Sequence, residues 1–315
     1  MPAVKFILCF WVLLAGFSCK KSSSDTSVIR MALLKGPSAI AFSNLLDSVY
    51  SVQGKRFEAT LYDNPAKVQA LMMQKKVDVA VLPVSMAANL YNKDFKYFFL
   101  ACPVWGNLFW ISTTANSAGR YKSVCLFGQG TTPDILLKYL QATAALSAVS
   151  DYISDYTFSS PQDLLQAILS KQITDIILPE PFVSLALKKD TNLFVRYDLA
   201  KEFNPLGFVQ TAVVVNSKIK QDKNLLRAID SLLTFSVKVS NPENPQTELR
   251  LIRHKLLPSG VDPKVMYGRC RIEYKSVGLI RSQVDSLLYI FFRYNPKFIG
   301  GKLPDDEFYV SGNFL

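Results

Sequence analysis

From residue 28 onward, short apolar runs alternate with segments whose apolar residues recur every three or four positions. VIRMALL predicts a strand, and the turn Lys35-Gly36-Pro37-Ser38 leads into AIAFSNLLDSVY, a predicted helix with Ser38 as its N-cap. FEATLYD is the next strand. Asn64-Pro65 then opens a helix in the favoured order, a capping side chain followed by a residue that needs no amide donor. VDVAVLP predicts a fully apolar strand ending at Pro83, followed by a short helix, SMAANLY, and YFFLACPVW and NLFWIST add two more strands. Strands without a polar face, separated by helices, predict an α/β fold whose mostly parallel sheet is covered on both sides.

A second cycle follows the loop Ala115–Gly119. SVCLFG is a strand, Gly128-Gln129-Gly130-Thr131-Thr132-Pro133 a turn, and DILLKYLQ a helix. Ser159-Ser160-Pro161 caps QDLLQAILSK, TDIILP runs into Glu180-Pro181, and VQTAVVVN is the last strand of this cycle. A long amphipathic helix carries Leu225, Leu226, Ile229, Leu232 and Leu233 on one face, and the last third is helical and basic. The two halves share a plan. Each has an apolar strand ending Leu-Pro (Leu82-Pro83, Leu178-Pro179) before a short helix, without a direct sequence repeat.

At 315 residues the chain exceeds what one hydrophobic core usually organises, and its charge divides it. Residues 28–120 carry 10 Lys and Arg against 5 Asp and Glu, residues 121–210 carry 7 against 9, and residues 211–315 carry 16 against 10. The acidic middle marks a separate lobe. The basic residues are scattered and form no nucleic-acid motif, so the net charge of +11 reads as a solvated surface and no nucleic-acid partner is expected. A single histidine, His254, and the absence of a CxxC pair exclude a multi-histidine metal site, a zinc ribbon and a thioredoxin-like centre; neither metal nor cofactor is expected. Cys102 and Cys125, in apolar runs, read as buried inert thiols.

The N-terminus reads as an address. Lys5, the apolar run Phe6 to Leu14 and the small residues before Cys19 follow the plan of a secretory signal peptide over residues 1–18. Gly16-Phe17-Ser18-Cys19 resembles the lipobox of bacterial lipoproteins, which makes Cys19 the expected lipidation site and residues 19–27 a polar tether.

In open α/β sheets ligands sit beyond the carboxyl ends of strands, where helix starts present unpaired N–H groups. Three turns qualify, at Ser38, Ser85 and Thr131-Thr132, although capping alone also explains any one of them. GQGTTP lacks the GKS or GKT of a phosphate-binding loop and the third glycine of a dinucleotide fingerprint. Glu180 is a candidate acceptor for an amino or cationic group, or a solvated loop carboxylate. Trp105 and Asn107 form an aromatic-polar cluster near the first crossover; Trp110 reads as core and His254 as a surface residue.

The order of these segments, from the lipobox through GPS, VDVAVLP with Ser85, GQGTTPDILLKYL and SSPQDLLQAILSKQITDIILPEPF to QTAVVVN, resembles substrate-binding proteins of ABC importers. It is similar in particular to the NMT1/THI5-like group, which includes binders of thiamine-pyrimidine precursors, organosulfonates and nitrate. The resemblance implies a periplasmic-binding-protein type II fold: lobe 1 from residues 28–115 plus 211–315, lobe 2 from 116–210, closing on ligand by hinge motion. It also implies Ser38, Ser85, Thr131 and Thr132 as ligand contacts, with the Glu180 segment facing the cleft. The expected protein is a lipid-anchored, periplasm-facing monomer. It would bind a thiamine-pyrimidine-like ring or an organosulfonate and deliver it, unchanged, to an ABC permease at the inner membrane. The alternatives are a dehydratase-like enzyme on the same fold and a scaffold or sensor lipoprotein.

Overall fold

The computed structural model describes residues 28–113, 122–143, 145–146 and 150–310. The expected signal peptide, Cys19, the tether and the loop Ala115–Gly119 lie outside the described residues. Among the described residues twelve strands form two sheets: β1 (Val28–Leu34), β2 (Tyr50–Val52), β3 (Lys55–Tyr62), β4 (Val79–Pro83), β5 (Tyr97–Val104), β6 (Leu108–Thr113), β7 (Ser123–Cys125), β8 (Ile153–Asp155), β9 (Asp175–Pro179), β10 (Leu193–Asp198), β11 (Thr211–Asn216) and β12 (Ile272–Ser276). The larger sheet has the order β12-β5-β11-β4-β1-β3-β2 and the smaller one β10-β6-β9-β7-β8.

Both sheets are mixed. The βα cycles give the parallel runs β3-β1-β4 and β8-β7-β9, while β11, which returns from the smaller sheet, lies antiparallel between β4 and β5. The expected division placed NLFWIST in lobe 1. Its strand β6 instead pairs antiparallel with β9 and β10, so the chain leaves the larger sheet at residues 105–107 and returns through 204–210. Gly106, at φ +56, turns the chain out of β5, and the apolar β6 is buried between β9 and β10 of the second sheet. Each lobe is thereby one sheet covered by its own helices.

Local chemistry sets the helix starts. Asn64 accepts a bond from the Ala66 amide and Ser160 from the Asp163 amide, and each is followed by proline. Ser38 does not cap. Its helix (Pro37–Ala41) starts one residue earlier, with Gly36 at φ +118 in the cap position, because the fixed φ of Pro37 suits the first helical residue. The predicted long helix there is five residues and a 3-10 turn, Ser43–Leu46. The amphipathic helix Lys223–Val239 buries Leu225, Leu226, Ile229 and Leu233 on the larger sheet.

Among the described residues no helix is long and apolar enough to cross a membrane, and no group of three or more His, Cys, Asp or Glu residues could hold a metal ion. Cys102, Cys125 and Cys270 are free and buried, and burial pushes the Cys102 and Cys125 thiols up to about 12.

Candidate ligand site

Between the two sheets lies a cavity of about 450 Å³, large enough for a small organic molecule. The larger lobe contributes Ser85 and Met86 from the start of the helix Val84–Asn92, Gln69, and Gln210 with Thr211 at the start of β11. The smaller lobe contributes Phe127, Thr131 and Thr132 from the turn before the helix Thr132–Ala142, together with Leu108 and Pro179. Phe298 closes the cavity from the C-terminal segment. Among the described residues, none that lines the cavity is Asp, Glu, Lys or Arg.

Two helix starts meet this cavity, one from each lobe. Neither has a side-chain cap: Pro83 carries no acceptor, and the Thr131 hydroxyl donates back to the carbonyls of Phe127 and Gly128 at 3.2 and 2.6 Å. The first amides of a helix have no partner within it, and the aligned peptide dipoles add a partial positive charge of roughly half a unit. The Asp134 carboxylate, fully buried in the first turn of the second helix, is occupied by the Gly130 amide at 2.7 Å, the Tyr156 hydroxyl at 2.6 Å and Lys138 at 3.0 Å. On the facing wall Thr211 is buried and its hydroxyl oxygen has no hydrogen-bond partner. A buried hydroxyl without a partner costs about 1–3 kcal/mol unless something in the cavity meets it.

The structure brings Ser85, Thr131 and Thr132 of the expected contacts to one cavity. It does not bring Ser38, Trp105, Asn107 or Glu180 there. Ser38 is buried within its short helix. Trp105 donates to the Glu273 carbonyl at 2.9 Å, and Lys275 lies over its ring, so the indole packs against β12. Asn107 sits in the crossover, its amide bonded to the Gln210 side chain at 3.0 Å. Glu180 is 2% exposed and accepts bonds from the Ser184 amide and hydroxyl at 3.2 and 2.8 Å, with Arg269 of the larger lobe 3.7 Å away. Burial outweighs these partners and raises its carboxyl to about 7. Trp110 is core, donating to Asp175, and His254 is half-buried against Asp47.

Phe127, Gln210 and Thr211 were within reach of the sequence, since Phe127 ends SVCLFG and the other two open QTAVVVN. Phe298 lies in the irregular tail, where no periodicity marks it.

Comparison with solved structures decides the family. A crystal structure of an ABC transporter protein from Parabacteroides distasonis is 34% identical, with 91% of this chain and 100% of that chain covered and a TM-score of 0.82. The chain belongs to the ABC transporter proteins. The same fold recurs in the periplasmic aliphatic sulphonate binding protein SsuA from Escherichia coli, at 14% identity, 91% and 94% coverage and a TM-score of 0.66. It recurs again in the alkanesulfonate-binding protein SsuA from Xanthomonas axonopodis pv. citri bound to MOPS, at 13% identity, 88% and 96% coverage and a TM-score of 0.60. No family model and no curated protein matches the chain. The architecture of this ABC transporter protein is thus the type II periplasmic-binding-protein fold, with the cavity at the junction of its lobes.

Proposed function

We propose that this substrate-binding protein captures a small organic anion of the sulfonate class, its head at the two helix starts and its apolar body between Phe127 and Phe298. The observation that carries the reading is the pair of helix starts without side-chain caps at a cavity lined by no charged residue. Such a site favours an anion or a neutral acceptor and offers a cation no carboxylate. The orphaned Thr211 hydroxyl supplies a donor for a further oxygen. Capture involves no bond-making in the solute, so the protein is a carrier and no enzyme. Its signal peptide and Cys19 make it an exported, lipid-anchored monomer that hands the solute to a permease.

A flat aminopyrimidine ring is the second reading, favoured by the two phenyl rings that reach the cavity from opposite lobes. Glu180, the candidate acceptor for an amino group, and Trp105 lie outside the cavity lining and offer that ring no contact. Titration calorimetry of the protein lacking residues 1–27 with butanesulfonate tests the leading reading. Binding that weakens about tenfold or more in Thr132→Ala and in Thr211→Val supports it. Binding of aminopyrimidine with none of butanesulfonate overturns it. Cys19→Ser, which is expected to release the full-length protein from the membrane fraction, tests the anchor.

A further inference from the structure

The C-terminal 3-10 segment Pro296–Ile299 is built firmly onto the larger lobe. Asn89, in the helix whose start faces the cavity, donates its side-chain amide to the Lys297 carbonyl at 3.1 Å, and Asn92 donates to the Ile299 and Lys302 carbonyls at 2.6 and 2.7 Å. Phe298 stacks edge-on against the fully buried Phe291 and covers the cavity. The residue that opens this segment, Asn295, reaches the other lobe: its side-chain amide donates to the Gly130 carbonyl at 2.9 Å.

Gly130 is the central residue of the turn that carries Thr131 and Thr132. It stands at φ +71, and a Cβ there would lie 2.5 Å from the Asn295 amide nitrogen, so glycine is required both by the backbone and by the approach of Asn295. The Asp134 carboxylate holds the Gly130 amide from below, which leaves the carbonyl to Asn295. The two lobes are joined by two crossover segments, residues 105–107 and 204–210, and the width of the cavity depends on how closely the second turn is drawn to the first lobe.

We infer that Asn295 is a positioning residue, which draws the Gly128–Thr132 turn against the larger lobe and so sets the spacing of the two cavity walls without itself lining the cavity. It acts on a bound solute only through Thr131 and Thr132, and this part rests on the function proposed above. The spacing itself does not.

The spacing is measured without any solute. Spin labels at Met73→Cys and Ile153→Cys, exposed positions on the two lobes, report the interlobe distance in protein lacking residues 1–27, whose native thiols are buried. Asn295→Asp keeps the size of the side chain and replaces the donor by a carboxylate facing the carbonyl. Gly130→Ala puts a methyl against the Asn295 amide. Both are expected to move or broaden the distance distribution relative to the parent while circular dichroism stays unchanged, and Asn295→Asp is expected to weaken butanesulfonate binding about fivefold. Distributions for Asn295→Asp and the parent that superimpose would overturn the inference. A shifted distribution with no butanesulfonate binding even in the parent would refute the proposed solute class and leave the positioning role standing.

Discussion

The two strands that end in Leu-Pro begin alike and finish differently. After Leu82-Pro83 the helix Val84–Asn92 begins without a side-chain cap, its first amide donating to the Gln210 carbonyl at 3.1 Å and Ser85 lining the cavity. After Leu178-Pro179 comes Glu180, whose carboxylate turns back to the Ser184 amide and hydroxyl and closes the start of the helix Phe182–Lys189. One carboxylate decides whether a helix start is held by its own strand end or left without a side-chain partner. The same residue gives the second end a different task, since Glu180 and Ser184 meet Arg269 from the larger lobe at 3.7 and 3.1 Å. An uncharged cavity and a charged seam between the lobes therefore arise from one local pattern.

Transplanting the difference has the largest expected effect. Ser85→Glu places a carboxylate at the open helix start, and like charge meeting a bound sulfonate is expected to weaken butanesulfonate at least hundredfold in calorimetry. Retained binding would remove that helix start from the site. Next comes the seam. Glu180→Ala removes the acceptor of the Ser184 amide and hydroxyl and so uncaps the helix, and urea unfolding at pH 5, where Glu180 is protonated in the folded state, is expected to show a loss of about 2 kcal/mol.

The titration of Glu180 sharpens the same point. Its carboxyl is raised by burial from an ordinary value of 4.5 to about 7, so the folded state binds the proton more tightly than the unfolded chain. The stability it contributes is fully present below pH 4.5 and is lost as the pH rises through 7. Glu180→Gln cannot ionise, so between pH 5 and 8 the stability difference is expected to move in favour of the variant. A difference independent of pH would show that Glu180 titrates normally.

The smaller effect concerns the orphaned hydroxyl. Thr211→Val removes a buried oxygen with no partner and keeps its shape, so the solute-free protein is expected to gain about 1 kcal/mol while losing solute affinity. A stabilised variant with unchanged affinity would place the Thr211 hydroxyl outside the contacts.

Most of the strands were legible because burial on both faces writes itself as an unbroken apolar run, as in VDVAVLP and TDIILP. The turn at Thr131 and Thr132 was legible from glycine, threonine and proline in the order that a helix start requires. The lobe of β6 was not, because NLFWIST is equally apolar in either sheet and only pairing with β9 and β10 assigns it. Nor was the fate of Glu180: a carboxylate at a strand end reads as a ligand contact or a solvated loop residue until the Ser184 amide and Arg269 are seen to hold it. The contribution of Phe298 depends on Asn89 and Asn92 gripping a segment more than two hundred residues away, a contact no local pattern records.

The central claim is that the uncharged cavity, open to two helix starts, takes a sulfonate-like anion. Thermal unfolding of the protein lacking residues 1–27, stripped of endogenous solute, tests it against alkanesulfonates, nitrate, aminopyrimidine thiamine precursors and amino acids. At one hundred times its dissociation constant a true ligand adds about 2.7 kcal/mol, a shift of several degrees. An alkanesulfonate is expected to give that shift and cationic amino acids none; a shift with aminopyrimidines alone, or with cations, would overturn the sulfonate reading.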